Sequence, residues 1–365
     1  MGIWSRVDSQ LASIRTFRPF FPALRTVGDT LVLPAQMARK GGKAGEFPFV
    51  VNITLTTRCN LDCPYCFNAD NRVGRVDELG LDEYRSLAAR WAPHRPGIFL
   101  SGGEPFARED LVEVVTAFKR RGMPVGVVTN GTLNRDDDLR RLADLGLDAF
   151  LVSFHGREAT HDRAVGMDGA FQRALRTLRE WNAAGPRTRP MVNYVLTEDS
   201  VAELPGFADD VAAIRPLSLR LSHLNFLTGE ETRRQREFWD EHFPGEPLQL
   251  LSHSYEPRDG AFAPLLEFLD SDRAGGVSTR PVLNSGEIER WYSHDPGVPR
   301  RCLFIWRSTY LNAQGDVYPC QGFMSPMGNV RGGSLDAVWN GDRYRRFRQT
   351  MKDGLMPGCA RCCKL

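Results

Sequence analysis

Residues 50–66 read VVNITLTTRCNLDCPYC, an apolar run followed closely by three cysteines, Cys59, Cys63 and Cys66. The apolar run has the composition of a buried β-strand, so the cysteines occupy the loop that follows it. Three thiolates this close together can hold three corners of a cubic iron–sulfur cluster. A structural zinc site uses four protein ligands, whereas a cluster held by three cysteines leaves one iron open. The stretch therefore predicts a cluster that does chemistry at its open iron.

The spacing of the cysteines argues against three other kinds of protein. A zinc ribbon needs a second cysteine pair nearby, and the sequence has no cysteine between Cys66 and Cys302. A disulfide framework is unexpected in a chain of 365 residues without an export signal. A ferredoxin-type electron carrier would usually be a much smaller chain dominated by cluster ligands.

A second motif, Ser101-Gly102-Gly103-Glu104-Pro105, follows the apolar residues 98–100. Glycines let the backbone approach a ligand closely, and the glutamate carboxylate suits an ammonium group. In this order, each after a predicted strand, the two motifs resemble those of the radical S-adenosylmethionine (radical SAM) enzymes.

The resemblance implies how the cofactors are bound. The open iron is chelated by the amino and carboxylate groups of SAM, and the segment Gly102, Gly103, Glu104 and Pro105 binds the SAM amino group. Tyr65 or Phe67 contacts the adenine, and Thr129, Asn130 and Ser153 are candidates for the ribose or the methionine moiety. Arg163 is a candidate for the SAM carboxylate, although family members often have Arg-Gly here with a different spacing. For Ser153 and Arg163, a strand-end cap and a solvated helix arginine are the alternatives. The residues with these implied roles are Tyr65, Phe67, Gly102, Gly103, Glu104, Pro105, Thr129, Asn130, Ser153 and Arg163.

Apolar and amphipathic runs alternate from residue 46 to residue 225 and predict an α/β fold with parallel strands. The predicted strands are 50–55, 98–100, 125–128, 149–154, 191–196 and 217–222. This number matches the partial (β/α)6 TIM-like barrel of the resembled family. Polar residues gather after the strands, where the active sites of parallel barrels lie. His155 and His223 are weak candidates for an acid–base group because of these strand-end positions.

The flanking regions predict three further units. Residues 1–45 form an N-terminal extension with a basic amphipathic stretch, which either packs on the domain or rests on a membrane surface. Residues 226–300 are irregular and predict a bridging region that shapes the substrate pocket. Residues 301–365 hold the other cysteines. A β-hairpin is predicted first in this tail, and a helix is predicted over residues 335–351. The remaining cysteines are Cys302, Cys320, Cys359, Cys362 and Cys363.

This tail resembles the twitch domain, a short relative of the SPASM domain that holds an auxiliary iron–sulfur cluster. The resemblance implies that Cys302, Cys320, Cys359 and either Cys362 or Cys363 hold one auxiliary 4Fe–4S cluster. A structural zinc knot with the same four thiolates is the alternative.

Composition and charge limit the class of protein and the compartment in which it is expected. Hydrophobic residues make up 42% and charged residues 25%, which are ordinary values for a globular protein. A formal net charge of +2 argues against nucleic-acid binding by bulk electrostatics. The sequence shows no signal-peptide core, and cysteine clusters need a reducing compartment, so we expect a cytoplasmic protein.

The resemblance implies an enzyme that cleaves SAM reductively to a 5′-deoxyadenosyl radical and abstracts hydrogen from a substrate. Flavodoxin or ferredoxin would supply the electron. One auxiliary cluster suits a biosynthetic oxidation or dehydrogenation, so the sequence favours a radical SAM oxidoreductase acting on a small-molecule or lipid-like substrate. Epimerisation, carbon–carbon bond formation and ribosomal peptide maturation are the alternatives, and an iron–sulfur electron-transfer protein is the alternative without catalysis. The stretch before Cys59 is shorter than a leader-binding winged-helix domain of roughly 80–90 residues, which weighs against a peptide substrate.

Overall fold

A computed structural model describes residues 41–66, 77–250, 253–293, 302–352, 354–362 and 364. The extension before residue 41, Phe67 and Cys363 lie outside the described residues. None of the helices that the structure describes is long and apolar enough to cross a membrane.

Six parallel strands form the centre of the sheet and pair in the order in which they occur along the chain. They are β1 (Val50–Thr54), β2 (Gly97–Ser101), β3 (Val125–Thr129), β4 (Ala149–Phe154), β5 (Met191–Leu196) and β6 (Ser218–His223). Each lies within one residue of its predicted position at either end. The partial (β/α)6 barrel expected from the sequence is confirmed.

The connecting segments are amphipathic helices that cover one face of the sheet. They are α1 (Leu81–Trp91), α2 (Leu111–Lys119), α3 (Asp136–Asp144), α4 (Glu158–Val165), α5 (Ala170–Ala183) and α6 (Leu204–Ala212). Alternate strand residues such as Ile53, Val127 and Phe150 are fully buried beneath these helices in the main core. Strand alternation therefore assigns the remaining strand residues to the interior of the barrel.

The interior face has an apolar floor and a polar upper part. A small cluster separate from the main core forms the floor; its members are Phe99, Val128, Ala149, Leu151 and Met191. One pleat further along the strands, Ser153 on β4 lies beside Asn193 on β5. We use the term interior face for this side of the sheet, and its polar part lies toward the carboxyl ends of the strands.

In the bridging region the sequence predicted a helix over the charged run from Glu230 to Trp239, which the structure has, and otherwise only turns and short pieces, where the structure has more regular elements. The elements of this region are β7 (Phe226–Leu227), α7 (Gly229–His242), β8 (His253–Ser254), α8 (Ala263–Leu269), β9 (Val277–Arg280) and α9 (Ser285–Trp291). Strand β9 pairs in parallel with β6 and extends the barrel sheet beyond the predicted strands. The short run VSTR lies among glycines and charged residues, so its strand character is decided by pairing with β6 rather than by its own composition.

The tail extends the sheet at its other end. Its elements are α10 (Phe304–Arg307), β10 (Ser308–Leu311), β11 (Asp316–Tyr318), β12 (Gly328–Asn329), α11 (Leu335–Trp339) and α12 (Asp342–Thr350). Strand β10 lies parallel to β1, and β11 returns antiparallel to β10, which confirms the predicted hairpin.

The prediction of one helix over residues 335–351 is wrong in one respect. The structure has two helices, α11 and α12, and the helical conformation is interrupted between them. Gly341 has an extended backbone with ψ of 160° and is the N-cap residue directly before α12. The break lets the Asn340 side chain and the Trp339 indole both donate hydrogen bonds to the Gly45 carbonyl.

Candidate active site and auxiliary cluster site

Hydrogen bonds to the Glu78 carboxylate hold the start of the loop that carries Cys59, Cys63 and Cys66. Glu78 accepts hydrogen bonds from the Thr56 hydroxyl and the Thr57 amide, each at 2.9 Å. All three cysteines are half-buried and unoxidised. The thiols are therefore held on an ordered loop that is partly open on one side, which fits a cluster with an accessible iron.

Gly102 and Gly103 are needed because their backbone touches the cysteine loop. A Cβ atom on Gly103 would lie 2.1 Å from the Arg58 carbonyl oxygen, and one on Gly102 would lie 2.5 Å from the Thr56 carbonyl oxygen. Gly102 also has a φ of +136°, which side chains rarely adopt. The amides of Gly103 and Glu104 donate to the carbonyls of Thr56 and Arg58 at 2.8 and 2.7 Å. The two predicted motifs thus form one joined backbone unit.

Glu104 links this unit to the end of β3. Its carboxylate is fully buried and accepts hydrogen bonds from the Thr129 hydroxyl and the Asn130 amide, both at 2.7 Å. Burial raises the pKa of Glu104 to about 7, and these hydrogen bonds only partly oppose the rise. A cation bound nearby would favour the ionised form. The Asn130 side chain in turn donates toward the Cys59 Sγ at 3.9 Å. The structure therefore brings these sequence-predicted residues together.

Tyr65 meets His155 on the interior face above β4. Their ring centroids are 5.3 Å apart, and the His155 amide donates to the His161 Nδ1 at 3.0 Å. Burial, followed by the nearby His161, lowers the pKa of His155 to about 3, so the ring is neutral. Within the described part of the chain, the buried His155 Nδ1 has no hydrogen-bond partner. A neutral imidazole with an unpaired buried nitrogen beside the cysteine loop suits contact with a ligand.

His223 does not share this position. Strand alternation turns it away from the interior face, and the His223 Nδ1 lies 2.8 Å from the Tyr292 hydroxyl among aromatic rings of the bridging region. The residue is 2% exposed. Its surroundings fit a buried structural histidine rather than an acid–base group.

Arg163 is also placed away from the cysteines. It is exposed on α4, and its guanidinium contacts the Thr160 hydroxyl at 3.2 Å. Val165 takes the inward position instead, fully buried against Leu61 and the cysteine loop. The Asp62 amide donates to the Val165 carbonyl at 2.9 Å. The helix therefore supports the loop by packing and does not direct Arg163 toward it.

The interior face carries two arginines that belong to none of the sequence motifs. In one row across the sheet, Ser153 neighbours Asn193, Asn193 neighbours Arg220, and Arg220 neighbours Ser278. In the next row, Arg280 lies beside Ser222. The alternation in the run SLRLSH already assigns Arg220 to the polar face of its strand, so the signal was present for β6. For Arg280 it was absent, since β9 was not predicted.

The tail cysteines surround one cavity. Cys302, Cys320, Cys359 and Cys362 all line it. Burial and then the neighbouring thiols of Cys302, Cys362 and Cys320 raise the pKa of Cys359 well above its usual range. Four thiols around one cavity, three of which disfavour ionisation of the buried fourth, fit a cationic metal centre, which would hold them as thiolates. Cys363 lies outside the described residues, so the choice between Cys362 and Cys363 as the fourth ligand stays a prediction. The position of Cys362 in the cavity wall supports Cys362.

A buried ion pair closes this cavity on the side of the bridging region. Arg361 lines the cavity, has a fully buried side chain and pairs with Glu231 of α7. Its Nε donates to the Trp291 carbonyl at 2.7 Å, and its guanidinium lies 4.5 Å from the centre of the Phe226 ring. The tail and the bridging region are therefore joined at the wall of the cysteine cavity.

Comparison with known families agrees with both sites. Residues 53–209 match the radical SAM superfamily, and residues 302–363 match an iron–sulfur cluster-binding domain, SPASM. The radical SAM domain binds a 4Fe–4S cluster together with SAM, and the SPASM domain binds an auxiliary iron–sulfur cluster.

Several characterised proteins are similar in sequence. Fe-coproporphyrin III synthase from Methanosarcina barkeri is 29% identical over 255 residues, which are 64% of this chain and 63% of that synthase. The chain thus spans less than two thirds of that relative. PqqA peptide cyclase from Rhodopseudomonas palustris is 28% identical over 347 residues, covering 89% of this chain and 83% of the cyclase.

A solved structure shows the same fold. SuiB from Streptococcus suis, bound to the precursor peptide SuiA, has a TM-score of 0.56 with 17% identity. The match covers 82% of this chain and 66% of SuiB. The sequence matches agree with the joined cysteine and glycine motifs and with the four-cysteine cavity: residues 53–209 are a radical SAM domain, and residues 302–363 are a SPASM iron–sulfur cluster-binding domain.

Proposed function

We propose that this radical SAM enzyme modifies a peptide, as a maturase that abstracts hydrogen from a side chain and leaves it oxidised or cross-linked. The observation that carries the proposal is the alignment with PqqA peptide cyclases over most of both chains. The small-molecule or lipid-like substrate expected from the sequence has less support. The heme-pathway synthases among the relatives make a tetrapyrrole the second candidate.

When bound, the first cluster and SAM supply a 5′-deoxyadenosyl radical, and the protein positions what reacts with it. In this proposal Cys59, Cys63 and Cys66 hold that cluster. Glu104 and the backbone of Gly102 and Gly103 orient the SAM amino group, because the buried carboxylate lies at the joined motifs and favours a cation.

The rest of the site holds the substrate and receives its electron. The interior face confines the substrate above the apolar floor, which limits side reactions. The cavity of Cys302, Cys320, Cys359 and Cys362 is bordered by Asn225 and Phe226, which directly follow β6. We propose that these four thiols would hold one auxiliary cluster, which would supply the oxidation of the substrate radical, and that the enzyme is therefore an oxidoreductase. We further propose flavodoxin or ferredoxin as the electron donor to the first cluster and, because cluster thiolates need a reducing compartment, a cytoplasmic location.

Co-expression with each short peptide encoded beside the gene tests the peptide substrate. Mass spectrometry should show loss of two hydrogens from one of these peptides with the wild-type enzyme. A Cys59→Ala/Cys63→Ala/Cys66→Ala variant, which lacks the thiols for the first cluster, should leave the same peptide unchanged.

The purified enzyme separates the class of chemistry from the substrate. Anaerobic, reconstituted protein with dithionite should produce 5′-deoxyadenosine. If 5′-deoxyadenosine forms but no peptide changes mass, while coproporphyrin III does, the peptide substrate is wrong and the tetrapyrrole candidate takes its place. If no 5′-deoxyadenosine forms, the electron-transfer alternative is favoured.

A further inference from the structure

The polar part of the interior face has an uneven charge. Among the residues of β1 to β6, β9 and β10, which the structure describes throughout, there is no aspartate or glutamate. The basic residues of these strands, His223 apart, are Arg220 on β6 and Arg280 on β9. Arg220 faces the interior because its neighbours Leu219 and Leu221 are buried on the helix-covered face, and Arg280 faces the same side because it pairs in register with Ser222. On these strands the interior face therefore carries two arginines and no carboxylate.

The two arginines stand on adjacent parallel strands and in consecutive rows. Arg220 pairs in register with Ser278, and Ser222 pairs in register with Arg280. Side chains on the same face of neighbouring strands, one row apart, reach a common point. Both arginines are half-buried, which reduces screening of their charge by solvent. A guanidinium in such a position favours a carboxylate by bidentate hydrogen bonding.

Neighbouring polar groups complete the pocket wall. The Ser222 hydroxyl donates to the Asn193 Oδ1 at 2.7 Å, so the amide of Asn193 is oriented and presents its Nδ2 as a donor. Asn193 stands in register with Arg220. The row thus offers several N–H donors above an apolar floor made by residues such as Leu151 and Met191. This arrangement suits an anionic group at the end of an apolar body.

We propose that Arg220 and Arg280 form a site for a carboxylate of the substrate, a subsite distinct from the one that binds SAM. The inference rests on the proposed function and specifies its substrate class: a peptide with an acidic side chain or free carboxyl terminus, or a tetrapyrrole carboxylate. SAM is the less suitable ligand, since the residues that would hold it lie at the cysteine loop after β1 and at the joined segment of Gly102, Gly103 and Glu104. Strands β6 and β9 stand at the other end of the strand order from β1.

Binding of two carboxylate probes to reconstituted enzyme with SAM present tests the site. The probes are acetyl-Ala-Glu-Ala-amide, with acetyl-Ala-Gln-Ala-amide as its uncharged match, and coproporphyrin III. Dissociation constants come from ligand-observed NMR for the peptides and from fluorescence for the porphyrin. The variants are Arg220→Gln/Arg280→Gln and the charge-preserving Arg220→Lys/Arg280→Lys. Arg140→Gln, on the exposed surface of α3, is the control.

The wild type should bind an acidic probe about tenfold or more tightly than the double glutamine variant, since a charge-assisted hydrogen-bonded pair is lost. The lysine variant should recover part of the affinity, and Arg140→Gln should match the wild type. Iron content, SAM affinity and 5′-deoxyadenosine formation without substrate should stay within about twofold in all variants.

Three results would overturn the site. They are equal affinity of the wild type and the glutamine variant for both acidic probes, no binding of either probe to the wild type, and a parallel loss of SAM affinity. Arginine-dependent binding of coproporphyrin III alone would support the carboxylate site while contradicting the peptide substrate. Arginine-dependent binding of the glutamate peptide with no preference over the glutamine peptide would contradict the carboxylate as the recognised group.

Discussion

The two cysteine sites of this chain use the same ligand in different surroundings. The loop after β1 offers three half-buried thiols beside the polar interior face. The tail offers four thiols in one cavity, with Cys302 and Cys359 buried and apolar residues such as Phe323 and Phe347 in the wall. The first arrangement leaves room for a further ligand at the metal, whereas the second surrounds it.

Under the proposed function, the difference suits two separate redox roles. An open site must admit SAM and substrate, so its loop is held from behind by backbone contacts, as at Gly103. A closed site must retain its cluster and pass electrons, so it can be buried and joined to neighbouring elements, as by Arg361. Mutations at the two sites should therefore have effects of different kinds.

Removal of one set of thiols at a time should give the largest effect. The Cys59→Ala/Cys63→Ala/Cys66→Ala variant should form no 5′-deoxyadenosine above background, and its iron content should fall from roughly eight to roughly four per chain. The Cys302→Ala/Cys359→Ala variant should also lose roughly four irons but still form 5′-deoxyadenosine. Iron analysis, EPR and chromatography of the products measure this. Equal loss of SAM cleavage in both variants would contradict the division of roles.

A methyl group at Gly103 should impair the open site alone. The added Cβ would lie 2.1 Å from the Arg58 carbonyl, so the cysteine loop must move away from the glycine segment. We expect Gly103→Ala to lower the rate of 5′-deoxyadenosine formation about a hundredfold, as misplacement near 1 Å can do. Gly229→Ala is the matched control, because nothing lies within 4 Å of its added Cβ. Similar rates in the two variants would show that the close contact is not needed.

Acidity should weaken SAM binding at the open site through Glu104, whose pKa burial raises to about 7. Above pH 7 the carboxylate is ionised and accepts a charge-assisted hydrogen bond from the SAM amino group; below pH 7 it is protonated, and this interaction is lost. The SAM dissociation constant should therefore rise by up to about tenfold per pH unit below 7 and stay flat above it. Equilibrium dialysis of the unreduced enzyme measures the constant. Glu104→Gln should lack this dependence, and an unchanged pH profile in that variant would remove Glu104 from SAM binding.

Arg361 should produce the smallest effect, confined to the closed site. Arg361→Gln removes a buried positive charge from the cavity wall, so adding an electron to the auxiliary cluster becomes less favourable. We expect the reduction potential of that cluster to fall by tens of millivolts, because net charge and hydrogen bonds set such potentials. Redox titration followed by EPR separates the two clusters. A shift in the first cluster, or an unchanged auxiliary potential in Arg361→Gln, would contradict the assignment.

Much of the fold and of both cysteine sites could be predicted from the sequence, because their signals are local. The strand predicted at residues 149–154 is a short apolar run, and its bounds agree with those of β4. The spacing of Cys59, Cys63 and Cys66 carries its chemistry within one loop. Such patterns depend on few distant contacts.

What the sequence did not reveal depends on distant partners. Strand β9 exists because β6 supplies a parallel edge, and the composition of VSTR does not indicate it. Arg163 was selected by partial resemblance to the Arg-Gly pattern of the family, whereas helical periodicity in the structure puts Val165 inward. The aromatic surroundings of His223 come from residues far along the chain, such as Tyr292. Pairing and helix phase against a core are decided by the whole fold.

The parallel pairing of β10 with β1 makes the tail a continuation of the barrel sheet. A truncation before β10 would leave β1 as an unprotected edge strand, with the apolar Val51 and Ile53 beside unpaired amides and carbonyls. Exposed edges of this kind recruit other chains and promote aggregation. The barrel and the tail are thus not independent modules. A shortened enzyme made to study SAM cleavage alone would need a substitute strand beside β1 to remain soluble.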